Sequence, residues 1–141
     1  MADRHDDAEK ISRALYVRIG SVSCPELGGE QVFFNRFGFR HLVVKHGIRR
    51  PLKEIRRRLA LLPYAQEIIG KSGKLFSHQE KLASRPGHRH GKKVFIPVRT
   101  AFWRLTGEIG NKKITVIIRQ FQGGKKHFLS IYDTRNKKLP S

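Results

Sequence analysis

The sequence predicts an α+β fold, with N-terminal helices packed on a C-terminal antiparallel β-meander of about four strands. Three observations predict it. Leu52, Ile55, Leu59 and Leu62 recur at intervals of 3, 4 and 3, the spacing of one apolar helical stripe. Segments between Val94 and Tyr132 are rich in β-branched and aromatic residues and are separated by glycine-containing pairs that suit hairpin turns. Of the 141 residues, 38% are apolar and nine are Phe, enough for one modest core and too many for a basic tail that stays disordered.

Taken in order, residues 6–14 read as a short amphipathic helix opened by acids that favour a helix N-terminus. Residues 16–22 alternate loosely, as a strand does. A turn region from Ser23-Cys24-Pro25 to Gly28-Gly29 precedes a second short strand over 31–35. Phe39, Leu42 and Val43 then suggest a helical turn or two ending at Gly47. The clearest helix follows Pro51, a residue suited to a first helical position. Lys53, Arg56 and Arg57 fall away from its apolar stripe, and Glu54 and Arg58 form an i,i+4 pair of modest value. Pro63 breaks or restarts the helix, and a further turn closes at Gly70. Residues 71–93 show no clean period and include SRPGHRHGKK, so they read as a long mobile loop placed for substrate contact.

The meander follows, over 94–98, 101–109, 113–121 and 127–132, with turns at Gly110-Asn111 and Gly123-Gly124. Two-residue turns would pair residues whose numbers sum to 221 in the first hairpin and 247 in the second. Alternation then gathers Trp103, Leu105, Val116, Ile118, Leu129 and Ile131 on the face under the helices. The opposite face collects Arg104, Thr106, Thr115, Arg119, Ser130 and Tyr132, with Phe102, Ile117 and Phe128 among them. A one-sided sheet is expected to be polar there. The mixture of hydroxyls, arginines and aromatics with few acids also suits phosphate and stacked bases.

The chain has 30 Lys or Arg against 11 Asp or Glu, a formal charge of +19. Residues 1–30 hold four bases and six acids, a net of −2, while residues 31–141 hold 26 bases and five acids, a net of +21. This divides the chain into an acidic segment over 1–30, expected to pack on the domain, and a single basic α+β domain over 31–141. Such a field attracts polyanions, nucleic acid before an anionic membrane or an acidic protein. The one cysteine, Cys24, has no internal disulfide partner. No apolar run approaches the ~18 residues of a membrane span, and the start lacks a signal-peptide pattern, so a cytoplasmic place of folding is expected.

Among the histidines, His41 and Lys45 share a helical face, whereas His41 and His46 would point about 140° apart on a helix. His41 with Lys45 therefore offers a proton-transfer group beside a phosphate-neutralising cation, with a packing or capping histidine as the plain alternative. His46 beside Gly47 reads as a helix-end residue. His88 and His90 flank Arg89 without a carboxylate or cysteine at ligand spacing, so no metal site is expected. No phosphate-binding glycine loop, dinucleotide fingerprint or nucleophile elbow is present, so no cofactor is expected either.

The runs VFFNRFGFRHLVVKHGIRRPLKEIRRRLALLPYAQEII and FWRLTGEIGNKKITVIIRQFQGGKKHFLSIYD resemble the small nucleases grouped with barnase, EndoU, the tRNase colicins and RelE, especially their phage-encoded and polymorphic-toxin branch. The likeness spans residues 32–133. It lies in a His within a helical HL-x-x-K element, a basic helix, and a meander with Arg on a middle strand and Ser or Thr on the last. The matching positions are His41, Lys45, Arg119 and Ser130. The resemblance implies a metal-independent endoribonuclease in which the 2′-hydroxyl attacks its own phosphodiester and leaves a 2′,3′-cyclic phosphate. His41 would be general base or acid, Lys45 and Arg119 would stabilise transition-state charge, and Ser130 would bond a phosphate oxygen. Arg56, Arg57, Arg89, Arg104, Phe128 and Tyr132 would hold the nucleic acid. His46, His127 and Tyr132 each remain open as the second proton-transfer group, and no glutamate is seen in place. RNA, transfer RNA included, is the implied partner, with an acidic immunity protein or antitoxin beside it and action in the cytoplasm of the producing or a target cell. The rival reading is a non-catalytic RNA- or DNA-binding module of the same fold.

Overall fold

The computed structural model describes residues 4–134. Residues 1–3 of the acidic segment and 135–141 of the basic domain lie outside the described residues. The fold is α+β, with the helices N-terminal to most of a large, mainly antiparallel sheet.

Helix α1 (Arg4–Ile19) takes in the short helix and residues 16–19 of the strand expected over 16–22, while residues 21–22 are extended as expected. Tertiary packing decides this, because helical geometry lets Tyr16 dock in an aromatic cluster. Its ring meets Phe34, Phe39 and Phe128 edge-on, and its hydroxyl donates to the Asn35 carbonyl. Strands β1 (Ser21–Cys24) and β2 (Glu30–Phe33) form an antiparallel hairpin. Acids of this N-terminal part face bases elsewhere, Glu9 pairing with Arg49 at 3.0 Å and Glu30 with Lys126.

Helix α2 (Arg36–Val43) is capped by Asn35, whose side chain accepts from the Phe37 N–H at 3.1 Å. It ends at Val43 rather than Gly47. His46 and Gly47 have φ of 53° and 76°, which makes the turn between strands β3 (Val44–Lys45) and β4 (Ile48–Arg49), and a helix cannot pass through them. This small hairpin turns the chain back on itself, and the Arg50 N–H donates to the Val43 carbonyl at 2.7 Å. Helix α3 (Leu52–Leu61) follows, with Ile55 and Leu59 buried, and irregular helical turns continue to Ser72.

Strands β5 (Lys74–Arg89), β6 (Lys92–Ile109), β7 (Lys112–Phe121) and β8 (His127–Asp133) follow. The main sheet has six strands in the order β1-β2-β8-β7-β6-β5, and β3-β4 stand apart, so the described residues hold eight strands where the sequence reading expects a meander of about four and two short strands before it. The main difference lies at residues 71–93, which are not a loop. They belong to a hairpin in which β5 and β6 pair continuously from Ser77↔Arg104 to Arg89↔Lys92. Pairing of β6 with β7 stops at Thr100↔Phe121, so residues 82–99 project as a two-stranded arm. His90 and Gly91, with φ of 54° and 78°, make its tip.

Two prolines sit in this arm without breaking it. The pair Arg89↔Lys92 closes a two-residue turn and is hydrogen-bonded, and bonded and non-bonded pairs alternate from there. Pro86↔Phe95 and Ser84↔Pro97 are then non-bonded pairs, where the N–H that proline lacks would point away from the partner strand. One proline guards each outer edge against further strand pairing.

In the core, Leu105, Ile114, Val116, Ile118, Phe128 and Ile131 of the sheet pack beneath Phe39, Leu42, Ile55, Leu59 and Ile68. The first hairpin has the expected register, ending at Ile109↔Lys112. The second keeps its expected register from Ile114↔Asp133 to Ile117↔Ser130, then shifts by one residue at a bulge, giving Ile118↔Phe128 and Arg119↔His127. The bulge puts Phe128 in the core in place of Leu129. Residue 38 must be glycine for α2 to approach, since a Cβ there would overlap the Phe128 carbonyl and the Tyr16 hydroxyl.

Candidate functional site

Beyond His127, β8 has no strand partner on the β2 side, and α2 and α3 pack against it there. The polar residues of this junction form one connected group. His41 stands on the last turn of α2, Arg50 follows the β3-β4 hairpin, Glu54 and Arg58 lie on α3, and Ser130 lies on β8. Arg50 donates from Nε to the His41 carbonyl at 2.9 Å, and one of its terminal nitrogens lies 3.2 Å from His41 Nε2. A guanidinium has no acceptor, so Nε2 accepts and the ring proton is assigned to Nδ1. Glu54 Oε1 accepts from Arg50 at 2.9 Å and from Arg58 at 3.2 Å. Arg58 completes the group by donating to Ser130 Oγ.

The group is strongly cationic and mostly buried, with Glu54 reaching solvent. Arg50, Arg58 and Ser130 are buried, and among the described residues Glu54 is the one carboxylate bonded to the two arginines. Burial pushes the His41 pKa down to about 3, and Arg50, Arg58, Arg119 and Lys45 each push in the same direction. His41 is therefore neutral at physiological pH, and its environment favours an incoming anion. Arg50 is lowered as well, by burial and then by Arg58, against the opposing pull of Glu54.

Arg119 and His127, paired across β7 and β8, make the second part of the site. Arg119 Nε donates to His127 Nε2 at 3.0 Å, while its guanidinium lies 4.3 Å from the Phe121 ring centroid. Phe37, from the first turn of α2, packs on both Phe121 and His127. Burial lowers Arg119 to about 10; it lowers His127 to about 4, with Arg119 adding to the shift and a hydrogen bond to the Lys125 backbone opposing it. The bulge at Leu129 brings these two residues opposite one another. The parity of an unbroken strand puts His127 on the core face.

The structure thus brings His41, Lys45, Arg119 and Ser130 into one neighbourhood, with Arg58 bonded to Ser130 and the charges of Arg119 and Lys45 felt at His41. Arg104 and Tyr132 are half-buried on the face that carries Arg119. Arg56 and Arg57 are exposed on α3, and Arg89 is exposed at the end of the arm. Phe128 is not a base-stacking residue, being fully buried against Tyr16 and Phe34. Nor is the face around Ser130 an open one: Thr115, Ile117, His127 and Ser130 are all buried. Among the described residues, no three of His, Cys, Asp and Glu converge as a metal site, and no helix is long and apolar enough to cross a membrane.

Arg50, Glu54 and Arg58 are missing from the site residues chosen by sequence; Arg119 and His127 are each named there, but not their pairing, which depends on the bulge. A signal for Arg58 existed. It falls on the stripe of Ile55, Leu59 and Leu62, where a lone charged residue among buried positions asks for a partner. Glu54 supplies the carboxylate that seemed absent, and Arg50, Glu54 and Arg58 succeed one another at intervals of four. No protein-family model, curated protein or solved structure matches this chain.

Proposed function

We propose that the protein is a metal-independent endoribonuclease of the barnase, EndoU, colicin and RelE kind, cleaving RNA to a 2′,3′-cyclic phosphate. The observation that carries this reading is a neutral histidine, His41, set among Arg50, Arg58, Arg119 and Lys45. A scissile phosphate entering this site meets fixed cations with little reorganisation, the arrangement that stabilises developing charge. His41 Nε2 removes the 2′-hydroxyl proton, the 2′-oxygen attacks phosphorus, and the bond to the 5′-oxygen breaks as that oxygen takes up a proton. Both sides of the His127 ring are engaged, which leaves His46 and Tyr132 as candidates to supply that proton. Ser130 acts here through Arg58, as a positioning residue. Transfer RNA is among the possible substrates. An acidic immunity protein or antitoxin would cover the same cations, and action would be in the cytoplasm of the producing or a target cell.

One observation favours the second reading, a non-catalytic RNA- or DNA-binding module. The His41 Nε2 lone pair already accepts from Arg50, and it must exchange that partner for the substrate hydroxyl before it can take a proton. Incubation with total RNA in the presence of a chelator, followed by analysis of product ends, separates the two. Cyclic phosphate ends that disappear in His41→Ala support the nuclease; RNA left intact at high protein concentration supports the binder.

A further inference from the structure

The arm formed by residues 82–99 takes no part in the site just described, yet its side chains continue one face of that site. Along the β5-β6 ladder, Gln79↔Phe102, Lys81↔Thr100, Ala83↔Val98, Arg85↔Ile96, Gly87↔Val94 and Arg89↔Lys92 are successive pairs on one face. Phe102 is itself opposite Arg119 on β7. A row of cations therefore leads from Arg119 past Lys81, whose ammonium lies 5.1 Å from the Phe102 ring centroid, to Arg85, Arg89 and Lys92 at the tip. The seven steps from Leu82↔Arg99 to Arg89↔Lys92 extend about 23 Å at ~3.3 Å per residue.

Between the cations the same face is apolar. Val94, Ile96 and Val98 are half-buried, and Ile96 lies across the position of Gly87, where a Cβ would come within 2.7 Å of its Cδ1. Residues 82–99 contain five Lys or Arg and no Asp or Glu. The proline on each outer edge makes a third strand an unsuitable occupant.

We infer that this face is a track for an unpaired RNA strand running outward from the candidate site. Cations pair with its phosphates, and the apolar floor covers base faces, which a duplex keeps stacked inside itself. The assignment rests on the RNA reading of the site but not on cleavage.

The test is the binding of a labelled single-stranded RNA oligonucleotide to the full chain carrying His41→Ala, followed by fluorescence anisotropy from about 50 to about 200 mM salt. Adding Arg85→Ala, Arg89→Ala and Lys92→Ala together is expected to reduce the slope of log affinity against log salt by about 2, from ~0.7 per lost contact. Lys112→Ala with Lys113→Ala, at the turn of the other hairpin, is expected to leave the slope unchanged. An unchanged slope in the arm variant, an equal loss in the Lys112 and Lys113 control, or tighter binding of a duplex of the same length overturns the proposal. Cleavage by the unmodified protein is read separately. Arm-dependent binding without cleavage leaves the track standing and removes the nuclease, whereas cleavage with an unchanged slope does the reverse.

Discussion

Arg50 holds His41 at two points, its backbone carbonyl at 2.9 Å and its ring Nε2 at 3.2 Å, so a single guanidinium fixes both the end of α2 and the tautomer of the histidine. With burial and four cations holding its pKa at about 3, His41 is expected to stay neutral throughout the physiological range in the free protein. Inorganic phosphate offsets those cations and should raise the value. Ring carbon resonances followed by NMR check this, and a His41 titration unmoved by saturating phosphate would contradict an anion site here.

Stability should fall with acidification before the carboxylates titrate. The folded-state values of His41 and His127, about 3 and about 4, lie below the ordinary value near ~6.5. As the pH drops below ~6.5, the unfolded chain binds protons that the native state does not, so stability is full above that point and declines toward the folded values. The slope should approach about 1.4 kcal/mol per pH unit for each histidine. Urea unfolding between about pH 5 and 6.5 measures it, and His127→Gln should make it shallower.

Glu54→Gln removes the carboxylate that serves two buried guanidiniums, whose side chains are 3% and 6% exposed. A loss of about 1–3 kcal/mol is expected, less than for a fully enclosed pair because Glu54 itself reaches solvent. Sulfate should restore more stability to this variant than to the parent, as an anion takes the place of the carboxylate. Thermal denaturation with and without sulfate reads both effects, and equal gains would argue against an accessible cation cluster.

Gly38→Ala should cost about 1–3 kcal/mol, because the added methyl drives α2 away from the Phe128 carbonyl. Phe128→Ala should cost about 3–5 kcal/mol by opening a cavity. Chemical denaturation gives both values. A Phe128→Ala protein of unchanged stability but weakened RNA binding would restore the stacking role that its burial denies.

The helical stripe of α3 and the first hairpin were legible because each rests on a local rule, apolar spacing in one and a two-residue turn in the other. The second hairpin was legible only as far as Ile117, since nothing in QFQGGKKHFLS marks Leu129 as the bulged residue. The arm was obscured by the very residues that build it. Pro86 and Gly87 read as breakers, and only the hydrogen-bond parity counted back from His90-Gly91 shows why Pro86, like Pro97 in the facing strand, is tolerated. Of the candidate site, the titratable residues on α2 and the meander could be chosen by type and spacing. Arg50 could not, because its approach to His41 depends on a two-residue turn with both His46 and Gly47 at positive φ, and His-Gly is a weaker turn signal than Asn-Gly or Asp-Gly.

Every residue from 82 to 99 is exposed or half-buried, so the arm adds nothing to the enclosed core. It is a limb whose length and charge can change two residues at a time without disturbing the packing that holds His41.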